Sequence, residues 1–334
     1  MSEEKSTGSS YTEKSRFKNF MKGPKSERVN YDFKNENLPY IKENQCKYAS
    51  IVESMVKIDA NSGDGDGWPV KKILTYKNNG DAFDCDDSNG TCRLTSKVYK
   101  KLGMKRDTEL CKDGDGGDTM NSFLNLYKRT GKIYELDCDF FKNKGVEALS
   151  DWDAFYGKLK EAMDKPTLDD LIEFTERIHT IGNFIYSLPG FNLHRQSQTQ
   201  DFWDLALYGI FNHFEQGKPG VTSEKAPLAS IIAADGLDAT TRWLDRYCCW
   251  PCFVKRTYME SFCEKRYPFE PLPFFRDEAR FEDFEAGGIK MPQNRTELKD
   301  CLTNINNRIK ERGELMVAAL VSEEHIHRYD KCTD

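Results

Sequence analysis

No stretch of the 334 residues approaches the roughly 18 consecutive apolar positions that a membrane-crossing helix requires. Residues 1–30 also lack a continuous apolar block of the kind that forms a signal-peptide core. Together these two absences set the expectation of neither membrane insertion nor export. Cysteine is sparse: 11 residues in 334 fall far below the density of a disulfide-built scaffold. An odd count without an export signal leads to the expectation of reduced thiols in a reducing, cytoplasmic compartment. Two matches to the glycan acceptor pattern, at Asn89 and Asn294, then have no transferase to meet and count as accidents. Internal repeats are missing too, and no Pro- or Ser-rich linker marks a domain boundary.

What is present is charge and aromatic bulk. Charged residues make up 31% of the chain, above the usual level of about a quarter, while the hydrophobic share is 38%. Aromatic residues reach 12%, too many for a disordered chain, and they supply large units for burial. The net charge of −6 argues against a surface built to neutralise many phosphates, so nucleic acid is not the favoured partner. The first 28 residues run the other way: Lys5, Lys14, Arg16, Lys18, Lys22, Lys25 and Arg28 outnumber four glutamates. That segment reads as a mobile basic arm, with an anionic partner as the alternative.

Periodicity divides the chain into a disordered basic tail (1–30), a mixed α/β part (31–145) and a helical part (146–334), the last two able to form one unit. The fold class expected is α+β, mainly α, with an irregular α/β N-terminal half packed on a C-terminal multi-helix bundle. In the first half, 70–76 and 133–136 read as short strands, and 46–58 and 120–129 as helices. In the second, Trp152, Phe155, Tyr156, Leu159 and Met163 share a helical face, and Pro166 interrupts before Thr167 caps the next helix. Trp203, Leu207, Ile210 and Phe214 mark the buried stripe of a helix over 198–214. Further helices are expected over 228–247 and 253–265. Asn294 with Glu297 forms a capping box ahead of Leu298, Leu302, Ile305, Ile309, Met316 and Leu320 at helical spacing.

Three Asp- and Gly-rich stretches, at 63–67, 84–90 and 113–118, invite a calcium reading that their register refuses. An EF-hand loop needs acidic positions early, Gly at the sixth and Glu at the twelfth. The candidates put Ile73 or Thr95 at the twelfth, so they read as turns. Cys249-Trp250-Pro251-Cys252 has the spacing of a redox pair or half a zinc site, but no second pair exists and a helix, not a strand, precedes it. Buried inert thiols are the plainer reading, and no metal site is assigned.

The densest polar cluster lies between Arg177 and Asp204. It holds His179, Asn183, Asn192, His194, Arg195, Asp201 and Asp204 around a Pro189-Gly190 break, which brings acid/base groups, amides and a guanidinium into 28 residues. Asp201 and Asp204 share a helical face, and Arg195 can pair with either. In a purely structural reading, Asp201 neutralises the helix start, His179 is a core histidine, and Asn183 and Asn192 hold turns.

The pieces Gly117-Asp118-Thr119-Met120-Asn121-Ser122-Phe123, His179-Thr180-Ile181-Gly182-Asn183-Phe184 and Asp201-Phe202-Trp203-Asp204-Leu205, with Asn306 and Arg312-Gly313, resemble a family of bacterial and phage proteins whose domain has no known function. The resemblance spans about residues 30–320 and implies a shared fold with no stated activity. It also implies that Asp118, Asn121, His179, Asn183, Arg195, Asp201 and Asp204 meet in space. The Ile181-Gly182-Asn183-Phe184 run is similar to one element of His-Asn-His endonuclease modules. Their upstream Asp-His or Glu-His pair is missing here, since Ile178 precedes His179.

Three functions remain open. In the first, a polar pocket over 179–204 binds an anionic small molecule, nucleotide or partner, with Arg195 on the anion and Asn183, Asn192 and His194 orienting it. Asp118 and Asn121 join this set through the resemblance. In the second, a metal-dependent hydrolase of a phosphodiester or nucleoside uses His179 as base and Asp201 or Asp204 as metal ligand or acid. In the third, Trp243, Tyr247, Trp250 and Phe253 form a homo-oligomer interface. No cofactor follows from any motif.

Overall fold

The computed structural model describes residues 13–31, 75–78, 81–84, 97–103, 117–121, 123–136, 157–178, 180–186, 199, 202–216, 243–276, 280–285, 288 and 291–322. These residues are mainly helical with little strand. The organising element is a helix of 27 residues, Arg295–Val321, called α8 below. It begins as the capping box requires: Asn294 Oδ1 accepts from the Glu297 amide at 3.0 Å, and the Asn294 amide nitrogen donates to Glu297 Oε1 at 2.7 Å. Leu298, Leu302, Ile305, Ile309 and Met316 are all closed to solvent. Each such side chain contributes about 2 kcal/mol of transfer free energy, so the stripe anchors the helix.

In chain order the other elements are α1 (Glu13–Lys22), α2 (Lys25–Val29), the hairpin β1 (Thr75–Asn78) and β2 (Asp81–Asp84), β3 (Gly117–Thr119), α3 (Phe123–Ile133), α4 (Lys165–Arg177), β4 (Phe184–Tyr186), α5 (Trp203–Gln216), α6 (Trp250–Arg256) and α7 (Arg280–Glu285). Two 3-10 turns, Ile181–Asn183 and Glu260–Phe262, punctuate the second half, and 97–101 and 157–162 are also helical. β3 pairs antiparallel with β4, setting Asp118 opposite Ile185. α8 packs on α4, α2 and both 3-10 turns. One apolar cluster joins α4, α5, α6 and the first half of α8. A second, around Phe20, Val29, Tyr99, Phe184, Met316 and Val317, ties α1 and α2 to its end.

Several expectations change. The basic arm is not free over 13–29: α1 and α2 form there, and Phe20 and Val29 are buried because α8 offers an apolar face in need of cover. Residues 133–136 are a helix end rather than a strand. Leu136 N donates to Gly131 O and Glu135 N to Lys132 O, with Glu135 at φ 57, a Schellman cap whose apolar residues imitate a strand in sequence. Pro166 does not interrupt a helix but opens α4, where its missing N–H costs nothing; the cap is Asp164, whose Oδ1 accepts from the Thr167 amide at 3.0 Å. Similarly, α6 starts at Trp250 with Pro251 in its first turn and ends before Tyr258, at φ 58. Of the strand expected over 70–76, residues 70–74 lie outside the described residues and a strand covers Thr75–Asn78, while the helix expected over 120–129 is observed as α3. The helices expected over 46–58 and most of 228–247 lie outside the described residues.

Trp243, Trp250 and Phe253 are core and Tyr247 is half-buried against them, so these rings pack within the chain rather than standing free for the expected oligomer interface. Trp250 and Phe253 are fully buried and stacked at 5.7 Å, with Phe211 edge-on to Trp250 at 5.3 Å from α5. Aromatic faces of this size are closed within the chain because α5, α6 and the segment 243–247 bring six rings together.

Candidate functional site

The three sequence pieces that carry the resemblance meet at one side chain, Asn121. It follows β3, and its amide nitrogen donates to Asn183 Oδ1 at 3.1 Å while its own Oδ1 accepts from the Trp203 amide at 3.4 Å. Asn183 answers: its Nδ2 donates to the carbonyls of Asn121 (3.2 Å) and Ile178 (2.9 Å). The Met120 amide donates to Asn183 O at 2.7 Å. Trp203 N is one of the donors that a helix start leaves unsatisfied, and Asn121 supplies its acceptor. Both asparagines are buried and bonded to protein, Asn183 through both amide hydrogens, so each holds backbone in place rather than facing a ligand in the open.

Asp204 is also closed. Oδ1 accepts from Leu205 N at 3.0 Å and Arg280 Nη2 at 2.9 Å; Oδ2 accepts from Phe274 N at 2.9 Å and Arg280 Nε at 2.6 Å. Neither side chain is exposed, and the guanidinium lies 4.4 Å from the Phe275 ring centre and 5.2 Å from that of Phe202. The partner of Asp204 is therefore Arg280, not Arg195. With both oxygens saturated, it offers no position to a metal or a substrate proton, which corrects that candidate role.

A third polar centre sits on α8. Arg312 donates Nη1 to the carbonyls of Phe184 (2.6 Å) and Gly182 (2.9 Å), and Nε and Nη2 to Thr257 O at 3.1 and 3.0 Å. Burial pulls its guanidinium below the ordinary value. One turn earlier, Arg308 donates to Leu272 O and Pro273 O at 2.6 and 2.7 Å. This arrangement depends on Gly182: a Cβ there would stand 1.9 Å from Ile309 O, so only glycine lets the turn reach the helix backbone. Arg280 left no signal in sequence. Arg308 and Arg312 did, since they interrupt the apolar stripe of Ile305, Ile309 and Met316 at spacings of three and four.

His179, Asn192, His194, Arg195 and Asp201 lie outside the described residues, as do most of the Asp-rich loops. Asp118 is placed by the β3–β4 register. Among the described residues no group of three or more His, Cys, Asp or Glu is arranged to hold a metal. Cys249 caps α6 and, with Cys252, Cys263 and Cys301, is a free thiol; Cys248 is disulfide-bonded, which corrects the expectation of uniformly reduced cysteines. Burial pushes the Cys263 and Cys301 thiols far above their usual value, which makes them inert.

Fold and site together define a mainly helical protein in which one long helix fastens irregular segments through buried arginines and asparagines. No helix among the described residues is long and apolar enough to cross a membrane. No protein-family model matches the chain, and no curated protein or solved structure is similar to it.

Proposed function

We propose that the chain is a ligand-binding protein that presents residues 187–201, with Asn192, His194 and Arg195, to an anionic small molecule, nucleotide or protein partner. One observation carries this reading: Asn121 bonds to Asn183 on one side and Trp203 on the other, so the chain leaves at β4 and returns at α5 beside a single buried side chain. Recognition residues are commonly carried on connecting segments rooted in a rigid scaffold, and this root is fastened by buried hydrogen bonds. Arg195 supplies a planar guanidinium suited to an oxyanion, and His194 and Asn192 supply neighbouring donors.

The test is thermal unfolding of the full chain with nucleotides and phosphorylated metabolites, on wild type and Arg195→Ala. The reading expects at least one compound to raise the midpoint in wild type and not in the variant. Equal responses in both proteins, or none in either, end it.

A further inference from the structure

Four arginines are buried among the described residues, and three of them have visible partners: Asp204 for Arg280, loop carbonyls for Arg308 and Arg312. Arg28 is the exception. It lies on α2 at 8% exposure, and its Nε and Nη1 are buried with no hydrogen-bond partner. No carboxylate among the described residues forms an ion pair with it. A guanidinium out of water without a counter-charge costs several kcal/mol, and this fold avoids that cost at every other buried arginine.

The surroundings favour an anion. Lys22 ends α1 and Lys25 begins α2, both exposed, so the corner between the helices is basic. Glu27, the sole acidic residue between Lys22 and Arg28, is exposed and turns its Oε2 toward Gly23, 3.4 Å from where a Cβ would stand. Nε and Nη1 of Arg28 together hold three N–H donors without an acceptor, a number that the three terminal oxygens of a phosphoryl group can match one for one. The corner is held in place because Val29 packs at Gly313 of α8, within 3.5 Å of a Cβ built there.

We propose that Arg28, at the α1–α2 corner, is the centre of an anion site that takes inorganic phosphate or the phosphoryl group of a small phosphate monoester. This site is independent of the segment 187–201. Without the anion, the unpaired charge is a cost to the fold; with it, the charge becomes a tether between the corner and its ligand.

The experiment is the thermal unfolding midpoint of the full chain, titrated with inorganic phosphate against sodium chloride at matched ionic strength. Wild type is expected to show a saturable rise with phosphate that chloride does not reproduce. Arg28→Met and Arg28→Lys lose it, whereas Arg195→Ala keeps it. In buffer without phosphate, Arg28→Met unfolds at or above the wild-type midpoint, since it keeps the apolar stem and removes the charge. Should Arg28→Met fail to fold, that expectation is refuted, and Arg28→Lys, which retains charge and stem, decides the phosphate response. A response no greater than that to chloride, one that survives in Arg28→Lys, or one lost only in Arg195→Ala overturns the proposal.

Discussion

Asp204 and Arg280 stand 76 residues apart in sequence and meet with both carboxylate oxygens on the guanidinium, at 2.6 and 2.9 Å, closed to solvent. Removing either partner leaves the other charge buried alone, which costs about 3–5 kcal/mol, whereas replacing both with apolar groups of similar volume costs less. Asp204→Asn and Arg280→Met are each expected to lower stability by that amount in urea denaturation, and Asp204→Leu/Arg280→Met by less than the sum of the single changes. Additive losses would refute the coupling.

Gly182 and Gly313 face each other across the contact between the 3-10 turn and α8, yet they differ in tolerance. A Cβ on Gly182 meets the Ile309 carbonyl at 1.9 Å, and the obstacle is backbone that cannot move aside. Gly182→Ala is expected to cost at least about 3 kcal/mol, the upper end of overpacking. On Gly313 the nearest atom is 3.5 Å away, an ordinary contact, and alanine also favours the helix. Gly313→Ala should therefore stay within about 1 kcal/mol of wild type. Equal losses at the two positions would contradict the geometry.

Arg312→Lys tests whether charge or the planar fork matters. An ammonium has three donors on one atom and cannot reach carbonyls on opposite sides, so Thr257, Gly182 and Phe184 lose partners. A loss of about 2–4 kcal/mol in chemical denaturation is expected, from unsatisfied buried carbonyls at roughly 1–3 kcal/mol each. A variant as stable as wild type would show that the carbonyls do not depend on the fork.

Glu260 sets a pH dependence. Burial pushes its carboxyl above the ordinary value, against the lowering effect of Arg312 and Lys255, and its Oε2 has no hydrogen-bond partner. The folded chain then holds this proton more tightly than the unfolded chain, so its contribution to stability falls as pH rises from the unfolded value through the folded one. Glu260→Gln removes that penalty. The variant should be more stable than wild type at pH 7, with the difference shrinking toward pH 4; a constant difference across that range would sink the assignment.

Thiol labelling distinguishes the cysteines. Cys249 is half-buried at the start of α6, whereas Cys263 and Cys301 are sealed in the core and held protonated by burial. Iodoacetamide is expected to modify Cys249 in the native protein and to reach Cys263 and Cys301 only after unfolding, as peptide mass mapping would record. Native modification of Cys301 would show that the α8 stripe opens.

Local rules carried the helices. The capping box at Asn294, the stripe from Leu298 to Leu320 and the face of Trp203, Leu207 and Ile210 are interactions between near neighbours, so their spacing in the chain is their spacing in space. Where a helix end or start borrowed residues that look like something else, as at 133–136 and Pro166, the same local reading went astray, because a cap is defined by backbone hydrogen bonds that composition does not display.

The candidate site was legible as a cluster and not as a set of roles. The sequence by itself determined that Asn183, Asp204 and Arg312 are unusual polar residues among apolar ones. Only the tertiary structure decided what they do, since their partners Asn121, Arg280 and Thr257 lie 62, 76 and 55 positions away. Pairing at that range is chosen by which backbone and charged groups are left unsatisfied once the helices pack, and that is a property of the packed whole.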